Sequence, residues 1–360
     1  MKLMKKFLLI FFTFHLSLFT SQSQTVSSLY QPGVTSEGAV YFLPKTAVNV
    51  TLLVEKTSYQ PGEFCRYAER FLRLRDVSPE SSVAYRIVGI KQYPVAVADT
   101  AKRYAVKFDA KTVASNVRLS DDGVLLAINT DPVENASVQR FVAAPRESLP
   151  NPRRFMSEEI LSAGSTAKMA ELTAQDIYEI RESRNLLVRG QADNMPKDGD
   201  QLRLMLHQLD LQDRVLTSLF AGNISKDTAE YIFTVIPDKE IQRDILFRFS
   251  QKLGLLDQDD LGGTPYYIII KDLQTVPPAE PVDPKKKNKP VQGIYVNIPG
   301  KMRVSVSNAT QTLVTDDFPA GQFGHVELLS GALFNKRYTT RLTLNPVSGA
   351  VERLDAELPK

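Results

Sequence analysis

Few side chains in this sequence have the types and spacing that reactive chemistry needs. Cys65 is the only cysteine in the 360 residues, and His207 and His325 are the only histidines beyond His15. A thiol nucleophile needs a base and a group that orients the base. Both histidines lie more than 140 residues from Cys65, and no short motif couples them. Two histidines and one cysteine also fall short of an all-nitrogen/sulfur structural zinc site unless carboxylates join them. Asp213 is the carboxylate of most interest, because helical spacing places it among Leu202, Leu206, Leu209 and Leu216. A buried carboxylate must be paired or neutralised. Arg184 is a candidate partner, but an axial offset of roughly 12 Å at 1.5 Å per residue argues for a different one. A structural ion pair or a capping role with some other partner is therefore expected at Asp213 rather than catalysis.

Two segments imitate ligand loops. "DQDDLGG" places Asp257, Asp259 and Gly262 at positions one, three and six of a calcium loop. Leu261 and Ile268 then stand at positions five and twelve, where oxygen ligands are required. The segment reads as a polar turn after a helix. "GIYVNIPGK" resembles a phosphate loop, but six residues separate Gly293 from Gly300, and Met302 follows Lys301 where a hydroxyl should stand. HExxH, CxxC, GxSxG and GxGxxG are all missing. No catalytic residue, cofactor-binding residue, metal ligand or cofactor is assigned. Paired carboxylates need no short motif, so a hydrolase acting on envelope polymers stays open as an alternative.

The elements that must position any site alternate in type along the chain. Residues 24–38 read as a flexible start. "GAVYFLPKTAVNVTLLVEKTSY" is rich in Val, Thr, Leu and Tyr and reads as strand. An amphipathic helix follows at about 62–74, placing Cys65 at the edge of its apolar side as a small hydrophobe. "VAYRIVGI", "RYAVKFDA", "NVRLS" and "VLLAINT" are further strands, the last two joined by a turn at Asp122-Gly123. Four prolines mark 130–155 as a connection. Ser157 caps a short helix, a long helix covers 166–189 up to Gly190, and a second covers about 200–220. Leu202, Met205, Leu206, Leu209, Leu216 and Phe220 form one stripe on that second helix, with Leu204, Leu211 and Val215 opposite. An apolar surface on two sides predicts a helix sandwiched between layers. "AEYIFTVIP" reads as strand, "KEIQRDILFRFSQKLG" as helix and "PYYIIIKDL" as buried strand. After the Pro/Lys-rich loop at 276–290, the chain turns to strands again through a last hairpin at "NPVSG".

The fold class that follows is α+β. A β-rich N-terminal lobe (24–150) and a β-rich C-terminal lobe (261–360), both sandwich-like and antiparallel, flank a mainly helical middle (151–260) built around a helical hairpin. Residues 1–23 read as a secretory signal peptide: Lys2, Lys5 and Lys6 precede an apolar run from Phe7 to Phe19, and Ser21 and Ser23 suit cleavage before Gln24. That run is shorter than the ~20 residues a bilayer span needs, so the mature chain is expected not to span a membrane. No cysteine stands directly after it to carry a lipid. Three of the 44 basic residues lie in residues 1–23, which hold no acid, so the remainder balances 41 bases against 41 acids. A nucleic-acid binder needs a positive field, which excludes that class. With one cysteine there is no intrachain disulfide, and packing alone must hold the fold. The absence of Trp weakens a carbohydrate-binding reading, while 13 tyrosines keep it open.

Six segments, "SYQPGEFCRYAERFL", "IYEIRESRNLLVRG", "MPKDG", "LTSLFAG", "DILFRFS" and "QFGHVELLSGALF", together resemble an exported Bacteroidetes family designated domain-of-unknown-function family 4831. They are spread over about 50–355. The resemblance implies an exported envelope protein and carries over no catalytic or cofactor residue. The expected role is non-catalytic binding or scaffolding in the periplasm, at the outer membrane or outside the cell, with envelope proteins or glycans as partners. The alternatives are a hydrolase or a glycan-binding protein. N-terminal sequencing of the protein recovered from its native host is expected to begin at Gln24. An N-terminus at Met1 overturns the signal-peptide assignment.

Overall fold

The computed structural model describes residues 33–34, 38–107, 116–134, 140–143, 149–196, 198–277, 293–334 and 339–357. The signal-peptide segment and most of 24–38 and 276–290 lie outside these residues. The fold is α+β and β-rich. Its central strand is β2 (Gly38–Gln60), whose 23 residues span about 75 Å at ~3.3 Å each. Along one side β2 pairs with β3 (Ser82–Lys107). Along the other it pairs first with β1 (Gly33–Val34) and later with β6 (Asn223–Val235). A second sheet runs in the order β11 (Thr312–Ser330), β10 (Gly293–Ser307), β9 (Thr264–Asp272), β7 (Ile241–Ser250), β8 (Gly254–Leu256). A third runs β13 (Val351–Glu357), β12 (Thr339–Leu344), β5 (Leu125–Ile128), β4 (Val117–Leu119). All named pairs are antiparallel.

Two β cores lie along β2 and β10: β2, paired with β3 throughout, exchanges β1 for β6 on its other side, and β10, paired with β11 throughout, gains β9 only from Met302 onward. Val48, Val50, Leu52 and Val54 alternate on one face of β2 and pack against Phe247, Ile268, Ile270, Met302 and Val304 of the second sheet. Ala39, Tyr41 and Leu43, nearer the start of β2, pack instead with Leu125, Ile128, Ile294, Val296, Leu342 and Leu344. Each large apolar side chain fully buried in this way contributes about 1.5–3 kcal/mol. The handover between cores falls at bulges, one at Phe42/Leu43 in the β2–β3 pair and one at Ile298/Gly300 in the β10–β11 pair. Pro44 and Pro299 sit beside those bulges, while Pro94 and Pro319 sit on the outermost strands β3 and β11. These are positions where a missing N–H costs no ladder bond.

A third core is helical. α1 (Ala68–Leu72), α2 (Glu158–Leu161) and the long pair α3 (Thr166–Arg189) and α4 (Gly199–Ala221) gather Phe64, Ala68, Ile160, Ala174, Ile177, Leu216 and Phe220. Ser157, Ser165 and Asp198 each cap a helix by accepting a backbone N–H. Gly190 at φ 68° closes α3, with Gln191 N–H donating to Leu186 O and Gly190 N–H to Leu187 O. Gly62 is pressed against α4: a Cβ there would lie 2.1 Å from Leu219 O, and the next amide but one, Phe64 N–H, donates to that oxygen at 2.7 Å.

Several expectations are corrected. Residues 239–254 are not helical; they contain β7 and the start of β8. Bulges between Ile241 and Asp244 and between Ile245 and Phe247 interrupt the alternation of β7. The apolar positions 241, 245, 246 and 249 then fall at helix-like spacing. The strands expected around 83–90 and 103–110 join as one strand, β3, running through Pro94. The helix expected at 62–74 is a single 3-10 turn, Cys65–Tyr67, followed by α1, and Arg73 at φ 58° ends it. At Asp122-Gly123 only Gly123 has positive φ; Gly123 N–H donates to Ser120 O and Ser120 N–H to Val124 O, so the hairpin closes through a three-residue loop, 121–123, with a bulge beside it. α4 is not sandwiched along its length: Val215, Leu216, Leu219 and Phe220 are buried, but Leu204 is 67% exposed.

At the handover the freed polar groups are paired by side chains. Asn297, fully buried, donates Nδ2 to Pro44 O at 2.8 Å and to Ser348 O at 2.9 Å. Gln322 accepts from Thr46 N–H at 2.9 Å and returns Nε2 to Thr46 O at 2.8 Å and Pro237 O at 3.1 Å. Asn297→Ala is expected to strand both carbonyls and cost about 2–4 kcal/mol. This reads as a lowered urea midpoint at unchanged slope. Asp317→Asn, which breaks an exposed pair with Arg303, is expected to leave the midpoint nearly unmoved.

Candidate functional site

The reactive side chains do not converge. Cys65 is half-buried in the 3-10 turn ahead of α1. His207 is exposed on the distal half of α4. His325 stands on β11 opposite Ile298, with a buried Nδ1 that has no hydrogen-bond partner. Asp213 is paired across the helical hairpin with Arg181, whose Nε donates to both carboxylate oxygens at 3.1 and 3.2 Å, and Thr217 Oγ1 donates to Oδ1 at 2.9 Å. Its carboxylate is about a quarter exposed rather than buried. Arg184 serves the next rung outward, donating to Asp210 at 2.6 Å. Arg184 and Asp213 thus take different partners, as their axial offset predicts. Because both rungs are partly exposed, each fixes helix register more than it adds stability.

The two imitations of ligand loops also resolve. Residues 257–263 form a turn between β8 and β9, following a strand rather than a helix. In it Asp260 Oδ1 accepts from Gly262 N–H, and Gln258 O accepts from Arg248. Gly293–Lys301 is part of β10. Among the described residues, no group of three or more His, Cys, Asp or Glu is placed to hold a metal ion.

Three concave surfaces are notable among the described residues. The first is a groove of about 470 Å³ at the tip of the α3–α4 hairpin, lined by Leu186, Leu187, Ala192, Met205 and Leu209 with Ser183 and Gln208 at its rim. The helices reach this tip because α3 is about 36 Å long and only its first half enters the helical core. Beside the groove Val188, Met195 and Leu204 are exposed. Scattered exposed apolar residues are ordinary; here three stand at the same hairpin end as the groove.

The second, about 350 Å³, lies on the β12–β13 face between Asp131, Arg341, Thr343, Arg353 and Asp355. Two carboxylates share it, as glycoside hydrolysis would require. Each is engaged by an arginine, Asp131 by Arg118 at 3.4 Å and Asp355 by Arg353 at 2.5 Å. Both carboxylates therefore sit in surface ion pairs. The third, about 280 Å³, lies on the outward face of the first sheet over Leu53 and Gly89.

Burial raises the Tyr41 phenol far above its ordinary range; its hydroxyl bridges to β10, accepting from Tyr295 N–H at 2.8 Å and donating to Tyr295 O at 3.2 Å. This is a structural tether, since Tyr41 is 1% exposed. Among the described residues, no helix is long and apolar enough to cross a membrane.

The family model described as Domain of unknown function (DUF4831) matches residues 37–352, and the chain belongs to that family. No curated protein and no solved structure matches it. Cys65→Ala is expected to cost at most about 1–2 kcal/mol and to leave the fold unchanged. A thiol reagent is expected to label native Cys65 more slowly than the urea-unfolded chain. Labelling at the unfolded rate overturns the packing role.

Proposed function

We propose that this DUF4831 protein is an exported cell-envelope protein with a non-catalytic, scaffolding role, and that the α3–α4 hairpin is its arm for binding a partner protein. The observation that carries this reading is the apolar groove at the hairpin tip, where Leu204 and Val188 stand 67% and 60% exposed. The base of the hairpin is cemented into the helical core, and the ion-pair rungs Arg181–Asp213 and Arg184–Asp210 hold the two helices in register. A rigid arm with an apolar end suits a partner that inserts apolar side chains. Met195 and Met205 add flexible thioethers that adapt to such a partner. The signal-like N-terminus and the charge balance beyond residue 23 support an exported setting, and no site described above supplies a nucleophile with its base.

A single-cysteine probe tests the arm. In a Cys65→Ala background, Leu204→Cys carries a photo-crosslinker in envelope fractions, and Leu261→Cys, at an exposed position in the β8–β9 turn, serves as control. One discrete protein adduct is expected from the tip and none from the control. Adding Met205→Glu, which cannot bury its charge in an apolar contact, is expected to abolish the adduct. Identical adducts at both positions, or none at the tip, overturn the proposal.

A further inference from the structure

The outward face of the first sheet carries a second, chemically different surface. Strand register lays it out in rows across β3, β2 and β6. One row is Tyr93–Asn49–Thr234, the next Lys91–Thr51–Ile232, then Gly89–Leu53–Glu230, then Arg86–Glu55–Thr228. The outer rows are internally satisfied. Thr234 Oγ1 donates to Asn49 Oδ1 at 2.7 Å, and Asn49 Nδ2 reaches the Tyr93 hydroxyl at 3.5 Å. At the other end, Glu55 accepts from Arg86 at 3.0 Å and lies 3.7 Å from Lys226.

The middle rows are different. Lys91 and Glu230 make no ion pair or side-chain hydrogen bond among the described residues, nor does Arg140, which lines the same cleft. Between them the floor is Leu53 and Ile232, and the walls include Tyr93 and Phe141. Gly89 opens the floor: neighbouring strands offer side chains there, but Gly89 offers none. Two cations and one carboxylate without partners among the described residues thus face an apolar, aromatic-walled hollow of about 280 Å³.

We infer that this cleft binds one acidic sugar residue of a glycan. A pyranose ring presents an apolar C–H face to Tyr93 and Phe141. Its carboxylate meets Lys91 and Arg140 through charge-assisted hydrogen bonds. Its hydroxyls donate to Glu230. A bound peptide is disfavoured: the backbone ladders of β2, β3 and β6 point within the sheet, so a peptide lying on the face would leave its own amides unmatched above Leu53 and Ile232. The volume also sits just under the ~300–1,000 Å³ of drug-sized sites, suiting one ring rather than a chain. This cleft is separate from the hairpin tip, and neither reading depends on the other.

The test is calorimetric titration of the full chain with three probes: a glucuronic-acid-containing disaccharide, its neutral glucose counterpart and an acidic tripeptide. The uronate is expected to bind about tenfold or more tightly than the neutral sugar. Gly89→Ala serves as the decisive variant. A Cβ there meets Leu53 Cδ1 at 3.5 Å, an ordinary contact, so a methyl enters the cleft floor without strain. Gly89→Ala and Lys91→Gln are each expected to weaken uronate binding about tenfold, with the melting temperature unchanged. Absence of uronate binding at millimolar concentration, equal affinity for the neutral sugar, or affinity indifferent to Gly89→Ala overturns the inference. Preferential binding of the tripeptide does so as well and makes the cleft a peptide site.

Discussion

The structure depends on one constraint: β2 and β10 each run through two hydrophobic cores, and a strand that changes core must break its ladder. The bulges beside Pro44 and Pro299 are where that happens. Backbone groups freed inside a protein cost about 1–3 kcal/mol each if left unpaired. Asn297 and Gln322 answer that cost with five hydrogen bonds to or from the backbone at Pro44, Thr46, Pro237 and Ser348. Gly321 and Gly349 must be small for the same reason, since a Cβ at either would lie within 3.0 Å of Asn297 Nδ2. Tyr41 performs the matching task for the start of β10, which has no β9 neighbour at Tyr295. The two cores are thereby locked at one relative placement.

That locked β body is what allows a long helical arm. α4 hands its chain directly to β6 through Gly222 at φ 80°, and β6 then pairs with the far end of β2, Asn223 opposite Gln60. Gly62 and Phe64, just beyond the same end of β2, clamp the last turn of α4. The arm is held at its base from both sides, so its distal half needs no core of its own and can expose apolar side chains. On the sheet face, the same β2 pairing sets Lys91 and Glu230 on opposite flanks of Leu53. Both surfaces inherit their geometry from one strand.

Local chemistry was legible wherever it decides structure within a few residues. The caps at Ser157 and Gly190 and the boundaries of α3 and α4 follow from side chains that meet orphan helix groups. β7 reads as a helix in sequence because its bulges give a strand the apolar spacing of a helix. β3 reads as two strands in sequence, whereas the structure runs it as one through Pro94, which an outer strand tolerates. The sheet-face cleft has no local signal at all: its residues come from 51–53, 89–93, 140–142 and 230–232, and nothing in any one stretch announces the others. Asp213 lay between these cases. Its need for a partner was readable, and Arg184 could be dismissed by counting turns, but Arg181 was named only by the packed hairpin.

By itself the sequence determined the α+β character, the helical hairpin with its ends, most strands and the lack of a compact catalytic motif. These rest on periodicity, capping and residue chemistry, which act over one or two turns of chain. Only the tertiary structure decided which strands pair, where β2 and β10 change cores, and which charges are left without partners on a face. Ladder hydrogen bonds join backbone to backbone and are nearly blind to side-chain identity, so register over separations of 180 residues or so, as between β2 and β6, is set by collective packing. The surfaces offered here as functional are products of that register.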